Sequence, residues 1–354
     1  MTPLIALLAM GQAVAPLELA LEGRDPIELA RGVDVRGFAQ YHASYGAFRY
    51  HFTSKQNQEK FLKNPEQHGL QIGGACGSMG PLSGRGRGNI FTVVDGQIWQ
   101  FASLQCRTSF LSNPNGYIES GPGPSHSTEE EQRRGKEWLA KAVNAHGGSS
   151  AFAKLSRFVT VQKVVAASGK EADAYYIELG FDRNLGWMQR QHGEGWAYHD
   201  LVQNSKGVQW GSNFQMPLVR SERDYLKRIV ARHPMLLLAL RNSPGFVASA
   251  TDPAEDKQEN WVVDIHFLDD AHVLEFDKKS FRLLRSHTRR RAQGPNRWVT
   301  TAYSNWKEKA GILLPMTVSL TWDGRDTAQQ VTTYHDVRLN NPKDAALFQF
   351  PKSS

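Results

Sequence analysis

Met316-Thr-Val-Ser-Leu-Thr-Trp322 and Trp261-Val-Val-Asp-Ile-His-Phe267 alternate apolar and polar side chains without a break. A period of two places Met316, Val318, Leu320 and Trp322 on one face of a strand, and Trp261, Val263, Ile265 and Phe267 on one face of another. Asp323-Gly324 supplies a hairpin turn from the first strand toward a further strand at 327–335, and Phe276 and Phe281 flank a second hairpin at 277–280. Around these runs, strand follows strand with short polar turns. The main helical interruption is 221–240, where Ser221 and Asp224 have the spacing of a capping box and Pro234 breaks the segment in two. This pattern predicts a curved antiparallel sheet or partial barrel whose apolar faces are concave. The 221–240 segment would cover them through Leu226, Ile229, Val230 and Leu236–Leu238. A concave face is filled either by its own side chains or by a ligand, and an acyl chain needs at least about 300 Å³. Both readings stay open; on the second, the eight alternating residues are the candidate cavity lining.

Upstream of the strands, residues 135–146 carry helical spacing (Trp138, Leu139, Ala142, Val143) that stops at Gly147-Gly148, and Ser150 is placed to cap a second short helix. Residues 120–132 (SGPGPSHSTEEEQ) are a linker by composition. Before the linker lies an internal repeat. Phe52-x-Ser54-x6-Phe61-Leu62-x-Asn64-Pro65 returns, offset by 49 residues, as Phe101-x-Ser103-x6-Phe110-Leu111-x-Asn113-Pro114. Each copy follows a short aromatic strand led by a glycine turn. Each reads as strand, then a helix capped by Ser54 or Ser103 and stopped by Asn-Pro, with Phe61, Leu62, Phe110 and Leu111 directed to one shared small core.

The composition is that of a globular protein: 40% hydrophobic and 22% charged, with a net charge of +7 that is spread rather than focused. Nucleic-acid binding calls for a basic stripe. The densest basic run, 285–297, reads as a solvated strand end, so no nucleic-acid partner is expected. Residues 1–15 (MTPLIALLAMGQAVA) combine a short apolar run with Ala-Val-Ala, the pattern of a signal peptide, and no later stretch is long enough to span a membrane. A periplasmic or secreted protein is expected. Cys76 and Cys106 are the two cysteines. In an oxidising compartment they could form a disulfide. With His51 and Met79 they could instead hold a soft ion such as copper or zinc, or remain inert thiols. Nucleophile-elbow, zinc-protease, haem-attachment and Walker motifs are absent from the sequence, so a non-enzymatic protein is expected.

Residues 21–119 resemble the YHS domain family in tandem. The resemblance rests on Asp25-Pro26, the stretch from Tyr41 to Phe52, the repeated F-x-S…F-L-x-N-P element, Gly73-Gly74-Ala75-Cys76 and Val94-Asp95-Gly96. It implies a small treble-clef-like fold and an interaction or metal-responsive module with a protein partner. The family's two cysteine positions fall on Thr53 and Asn57 in the first copy and on Ala102 and Cys106 in the second, which removes three of four thiols. Residues 131–351 resemble the periplasmic outer-membrane lipoprotein carrier superfamily through the opening helix ending in Gly-Gly, then Tyr303-Ser-Asn-Trp306…Gly311-Ile-Leu-Leu-Pro315, and Val337…Asn340-Asn341-Pro342…Phe348…Pro351. That resemblance implies a half-barrel that holds acyl chains under a helical lid. The expected molecule is therefore α+β. A signal peptide (1–15) precedes a tandem YHS-like domain (21–119), a linker (120–132), and an antiparallel β half-barrel with a helical lid (133–354). Its expected partner is an apolar small molecule or lipid. The competing expectation is a periplasmic copper- or zinc-handling protein with a passive barrel.

Overall fold

Both copies of the repeat fold into the same local structure, for the same local reasons. In the first, strands β1 (Glu18–Leu19), β2 (Phe38–Tyr45) and β3 (Phe48–Phe52) accompany helices α1 (Pro26–Leu29), α2 (Lys55–Lys63) and α3 (Pro65–His68). In the second, β4 (Arg87–Val94) and β5 (Gln97–Phe101) accompany α4 (Leu104–Ser112) and α5 (Pro114–Tyr117). Ser54 Oγ accepts from the Asn57 N–H at 3.2 Å, and Ser103 Oγ from the Cys106 N–H at 3.1 Å. Asn64 and Asn113 end the helices in nearly the same conformation and cap the following Pro-led turn. The computed structural model describes residues 17–118, 126–164, 174–251, 259–291, 294–323 and 325–351; the expected leader and residues 120–125 of the expected linker lie outside them.

The repeat extends further upstream than the sequence shows. The Asp25 N–H donates to Val35 O at 2.9 Å, and the Cys76 N–H to Gly84 O at 3.1 Å. Gly37 N–H to Gly23 O is matched by Gly86 N–H to Gly74 O, and the β-bulge at Phe38/His42 by one at Arg87/Phe91. Asp25 and Cys76 thus occupy equivalent places with opposite chemistry. The fully buried Asp25 carboxylate accepts from the Ile27 N–H (2.8 Å), the Thr53 N–H (2.7 Å), Thr53 Oγ1 (2.8 Å) and Asn57 Nδ2 (2.8 Å). In this copy Thr53 and Asn57 thus serve a carboxylate. Cys76 is buried among Trp99, Phe101, Phe110 and Tyr117, with Cys106 packed against the same group.

Two sequence expectations are corrected here. Each copy has its own core: one around Phe48, Tyr50, Phe52 and Phe61, the other around Phe110. Leu62 and Leu111 are exposed, because on these one-sided helices the neighbouring Phe61 and Phe110 take the inward position.

In the rest of the chain, α6 (Glu129–Ala145) starts inside the compositional linker, where Thr128 and Glu131 form a reciprocal capping box. It ends at Gly147, before α7 (Gly148–Ala153). Gly147 has φ 128°, and a Cβ there would lie 2.0 Å from Gly311 O, so the glycine is required by a hairpin that presses on it. The strands are β6 (Arg157–Val164), β7 (Tyr175–Asp182), β8 (Gly186–Gly193), β9 (Trp196–Gln203), β10 (Lys206–Gly211), β11 (Gln215–Pro217), β12 (Val247–Ser249), β13 (Trp261–Phe267), β14 (Asp270–Phe276), β15 (Leu283–Arg291), β16 (Asn296–Lys309), β17 (Ile312–Trp322) and β18 (Gln330–Leu339). They form one 13-stranded sheet in the order β11-β10-β9-β8-β7-β6-β18-β17-β16-β15-β14-β13-β12, antiparallel throughout. The last strand pairs with the first and joins two meanders into one sheet. The sheet remains open, with β11 and β12 as its edges.

Helices α8 (Arg220–Ala231) and α9 (Pro234–Leu240) break at Pro234 as the sequence predicts. The cap differs. The helix begins before Ser221, and the Glu222 carboxylate accepts from the Val219 N–H at 2.9 Å, because Val219 has no acceptor of its own. Trp138, Leu139, Val143, Leu226 and Leu236–Leu238 pack with Val263, Ile265, Phe276 and Leu314 into the main core. No helix among the described residues is long and apolar enough to cross a membrane.

Asp25→Ala should lower the unfolding free energy by about 3 kcal/mol, because it strands several buried donors. Cys76→Ala, at the equivalent place, should cost only about 1 kcal/mol, since it deletes one sulfur from an apolar core. Urea denaturation of the two variants measures both, and equal losses would contradict the assignment.

Candidate functional site

A cavity of about 450 Å³ lies on the inner side of the sheet, lined from β6, β7, β8, β15, β16, β17 and β18 and from the α8–α9 corner. Strands in a sheet are spaced about 4.8 Å apart, so a flat sheet would put β8 and β15 roughly 29 Å from each other. One cavity of this size can touch both only if the sheet wraps around it. This is the half-barrel, and the α8–α9 corner closes over it with Tyr225, Ile229, Val230, His233 and Pro234.

The lining is amphipathic. Phe158, Ile177, Leu179, Val318, Leu320 and Trp322 give it apolar walls; Thr160, Gln162, Thr301 and Thr332 interleave with them. Ser286, Thr288 and Arg290 alternate on β15, so all three face inward. Ser286 Oγ and Tyr303 Oη lie 2.6 Å apart, and burial raises the Tyr303 hydroxyl to about 12. Arg232, also on the wall, is paired with Asp270 at 2.9 Å. Burial, with the neighbouring Arg232 charge, pulls the Arg290 guanidinium down to about 10; Arg290 nevertheless keeps intermediate exposure, because its free surface opens onto the cavity. His233 is buried between Phe158 (4.6 Å) and Tyr334 (5.7 Å), and burial holds it neutral with a pKa of about 3. Its Nδ1 accepts from the Met235 N–H, which leaves the proton on Nε2.

Three of the eight residues expected to line a cavity do so: Val318, Leu320 and Trp322. Val263, Ile265, Phe267 and Met316 lie in the main core instead, where α6 and α9 cover β13 and the lower part of β17. Trp261 packs on Trp138 (4.7 Å) and stacks on Phe281 (6.0 Å). Alternation identified the inward faces but not which part of them a helix fills. Sequence reasoning missed Arg290. Within the run 285–297 β15 ends as expected and Arg285 and Arg289 are exposed, but Arg290 turns to the cavity, and Ser286-x-Thr288-x-Arg290 was the available signal.

Cys76 and Cys106 are free thiols in one apolar core, the inert-thiol arrangement among the three left open by the sequence. Met79 is exposed on the following turn, and His51 sits on β3 of the other repeat copy. Among the described residues, no three His, Cys, Asp or Glu side chains gather as metal ligands.

No family model matches the sequence, and no curated protein does. Among solved structures, a LolA superfamily protein of Nitrosomonas europaea aligns over 60% of this chain and 96% of its own, at 13% identity and a TM-score of 0.39. A domain assigned to an outer membrane lipoprotein-sorting protein of Vibrio parahaemolyticus aligns over 62% and 100%, at 12% identity and a TM-score of 0.37. A DUF1329 family protein of Desulfovibrio piger aligns over 61% and 97%, at 10% identity and a TM-score of 0.38. At this level the half-barrel stands on its own sheet order and cavity.

On strands β8 to β10, burial raises Asp200 to about 7, while Gln209 Nε2 donates to it at 2.6 Å and opposes the shift. A carboxyl whose folded pKa lies above its unfolded value adds stability that is complete below the unfolded value and lost as pH rises through 7. Asp200→Asn should therefore gain stability over the wild type between about pH 5 and about pH 8, on the order of 3 kcal/mol. Denaturation curves at both pH values check this, and an offset that does not change with pH would contradict it.

Proposed function

We propose that this chain is an exported, non-enzymatic binding protein that holds an apolar or acyl ligand in its half-barrel. Its paired N-terminal copies, read as a tandem YHS domain, would engage a protein partner. The observation that carries the reading is the cavity of about 450 Å³, walled by Phe158, Ile177, Leu179, Val318, Leu320 and Trp322 and roofed by the α8–α9 corner. A volume of this order suits a single chain-like ligand. The break at Pro234 gives the roof a place to bend. Support for the N-terminal reading is the point-by-point equivalence of the two copies, with a carboxylate network in the first where the family pattern has thiols. Copper or zinc handling has no gathered ligand set among the described residues to support it.

The test is titration with the neutral apolar fluorophore N-phenyl-1-naphthylamine. The wild type should bind it at micromolar concentration, and Leu320→Asp, which puts a charge on the cavity wall, should weaken binding at least about tenfold. Val331→Asp, on the exposed face of β18, should leave binding unchanged. Equal binding by Leu320→Asp and wild type would place the ligand elsewhere.

A further inference from the structure

Among the described residues, every charged side chain on the cavity wall is cationic. Arg232 and Arg290 are there, and no Asp or Glu joins them. Arg232 is neutralised by Asp270. Among the described residues Arg290 has no such carboxylate: Arg232 is its foremost charged neighbour, and Tyr225, Tyr303 and Tyr334 lie near it. Burying an arginine beside a like charge is unfavourable unless something compensates, and natural interiors pair such groups. A second unpaired donor is buried beside the cavity. His233 Nε2, buried and protonated in the neutral tautomer, has no hydrogen-bond partner in the protein. A buried donor without an acceptor is a rare feature that calls for an explanation. Both residues line the cavity, from β15 and the α8–α9 corner, but the sealed His233 Nε2 does not open onto it, so Arg290 is the group left for a ligand.

We infer that the ligand is an anionic amphiphile, an acyl chain ending in a carboxylate or phosphate, with the head received by the Arg290 guanidinium and the chain lying along Ile177, Leu179, Val318 and Leu320. This rests on the proposed apolar-ligand reading and narrows it. The planar guanidinium offers parallel donors that match two oxygens of either head. A neutral lipid would leave the charge uncompensated, and a small anion would leave the apolar walls uncovered. The polar residues between those walls do not contradict the assignment, since threonine and glutamine can satisfy one another across strands while presenting methyl and methylene groups to a chain.

The test compares four probes on the full chain by displacement of N-phenyl-1-naphthylamine: hexadecanoate, hexadecyl phosphate, hexadecanol and inorganic phosphate. Either or both of the anionic amphiphiles should bind at least tenfold tighter than hexadecanol, and inorganic phosphate should not displace the fluorophore. Arg290→Met should abolish that preference while leaving hexadecanol affinity within twofold. It should melt no lower than the wild type, because it removes an unpaired charge and not a structural ion pair. Equal affinity for hexadecanoate, hexadecyl phosphate and hexadecanol in the wild type, or a preference that survives in Arg290→Met, overturns the head-group assignment and leaves the apolar reading standing. Displacement by inorganic phosphate alone overturns it in favour of a small-anion site. Binding of none of the four while the fluorophore binds overturns it as well, and failure of the fluorophore itself removes the underlying apolar reading.

Discussion

The pairing of the last strand with the first, β18 on β6, is the constraint on which the rest of the structure depends. Without it the chain would have two separate meanders, one of six strands and one of seven, each too narrow to enclose anything. The pairing is pinned at one end by Asn340, whose Oδ1 accepts from the Ser156 and Arg157 N–H groups at 2.9 and 3.0 Å and whose Nδ2 donates to Lys154 O at 3.0 Å. A bulge between Tyr334 and Asp336 then shifts the phase of β18. Gln330, Thr332 and Tyr334 face the cavity on one side of the bulge and Val337 enters the main core on the other, so one strand serves both spaces.

Helices divide the concave surface between packing and binding. Over β13 and β14, α6 and α9 supply Trp138, Leu139 and Leu236–Leu238, and the sheet's apolar face is consumed by the core. Along the middle of β6–β8 and β15–β18 the α8–α9 corner roofs a space instead of filling it, and the sheet answers with a mixed wall. Polar groups there are costly unless matched. Most are neutral and can satisfy one another; Arg290 is the exception that gives the space a direction.

Much of this was legible in the sequence, and what was not has physical causes. Alternation along 261–267 and 316–322 gave correct strands, and Pro234 gave the helix break, because both are local. Which strands neighbour one another is a non-local matter: nothing in residues 157–164 announces that they pair with 330–339. That pairing decides whether an inward side chain meets a helix, as Val263 does, or a cavity, as Leu320 does. The N-terminal repeat was visible only in its F-x-S and F-L-x-N-P parts. The equivalence of Asp25 with Cys76 rests on backbone hydrogen bonds, which conserve geometry while side chains change from carboxylate to thiol. Arg290 was hidden for another reason. It lies in a basic run, where solvated charge is the usual meaning, and only the strand register shows it turning inward.

The central claim is that the half-barrel is a container rather than a solid core, and native mass spectrometry of protein recovered from its own cells tests it most directly. The account predicts a 1:1 adduct with the mass of an acyl amphiphile, released on denaturation and absent from Leu320→Asp. A bare polypeptide mass, from a wild type that also fails to take up hexadecanoate or N-phenyl-1-naphthylamine afterwards, would contradict it.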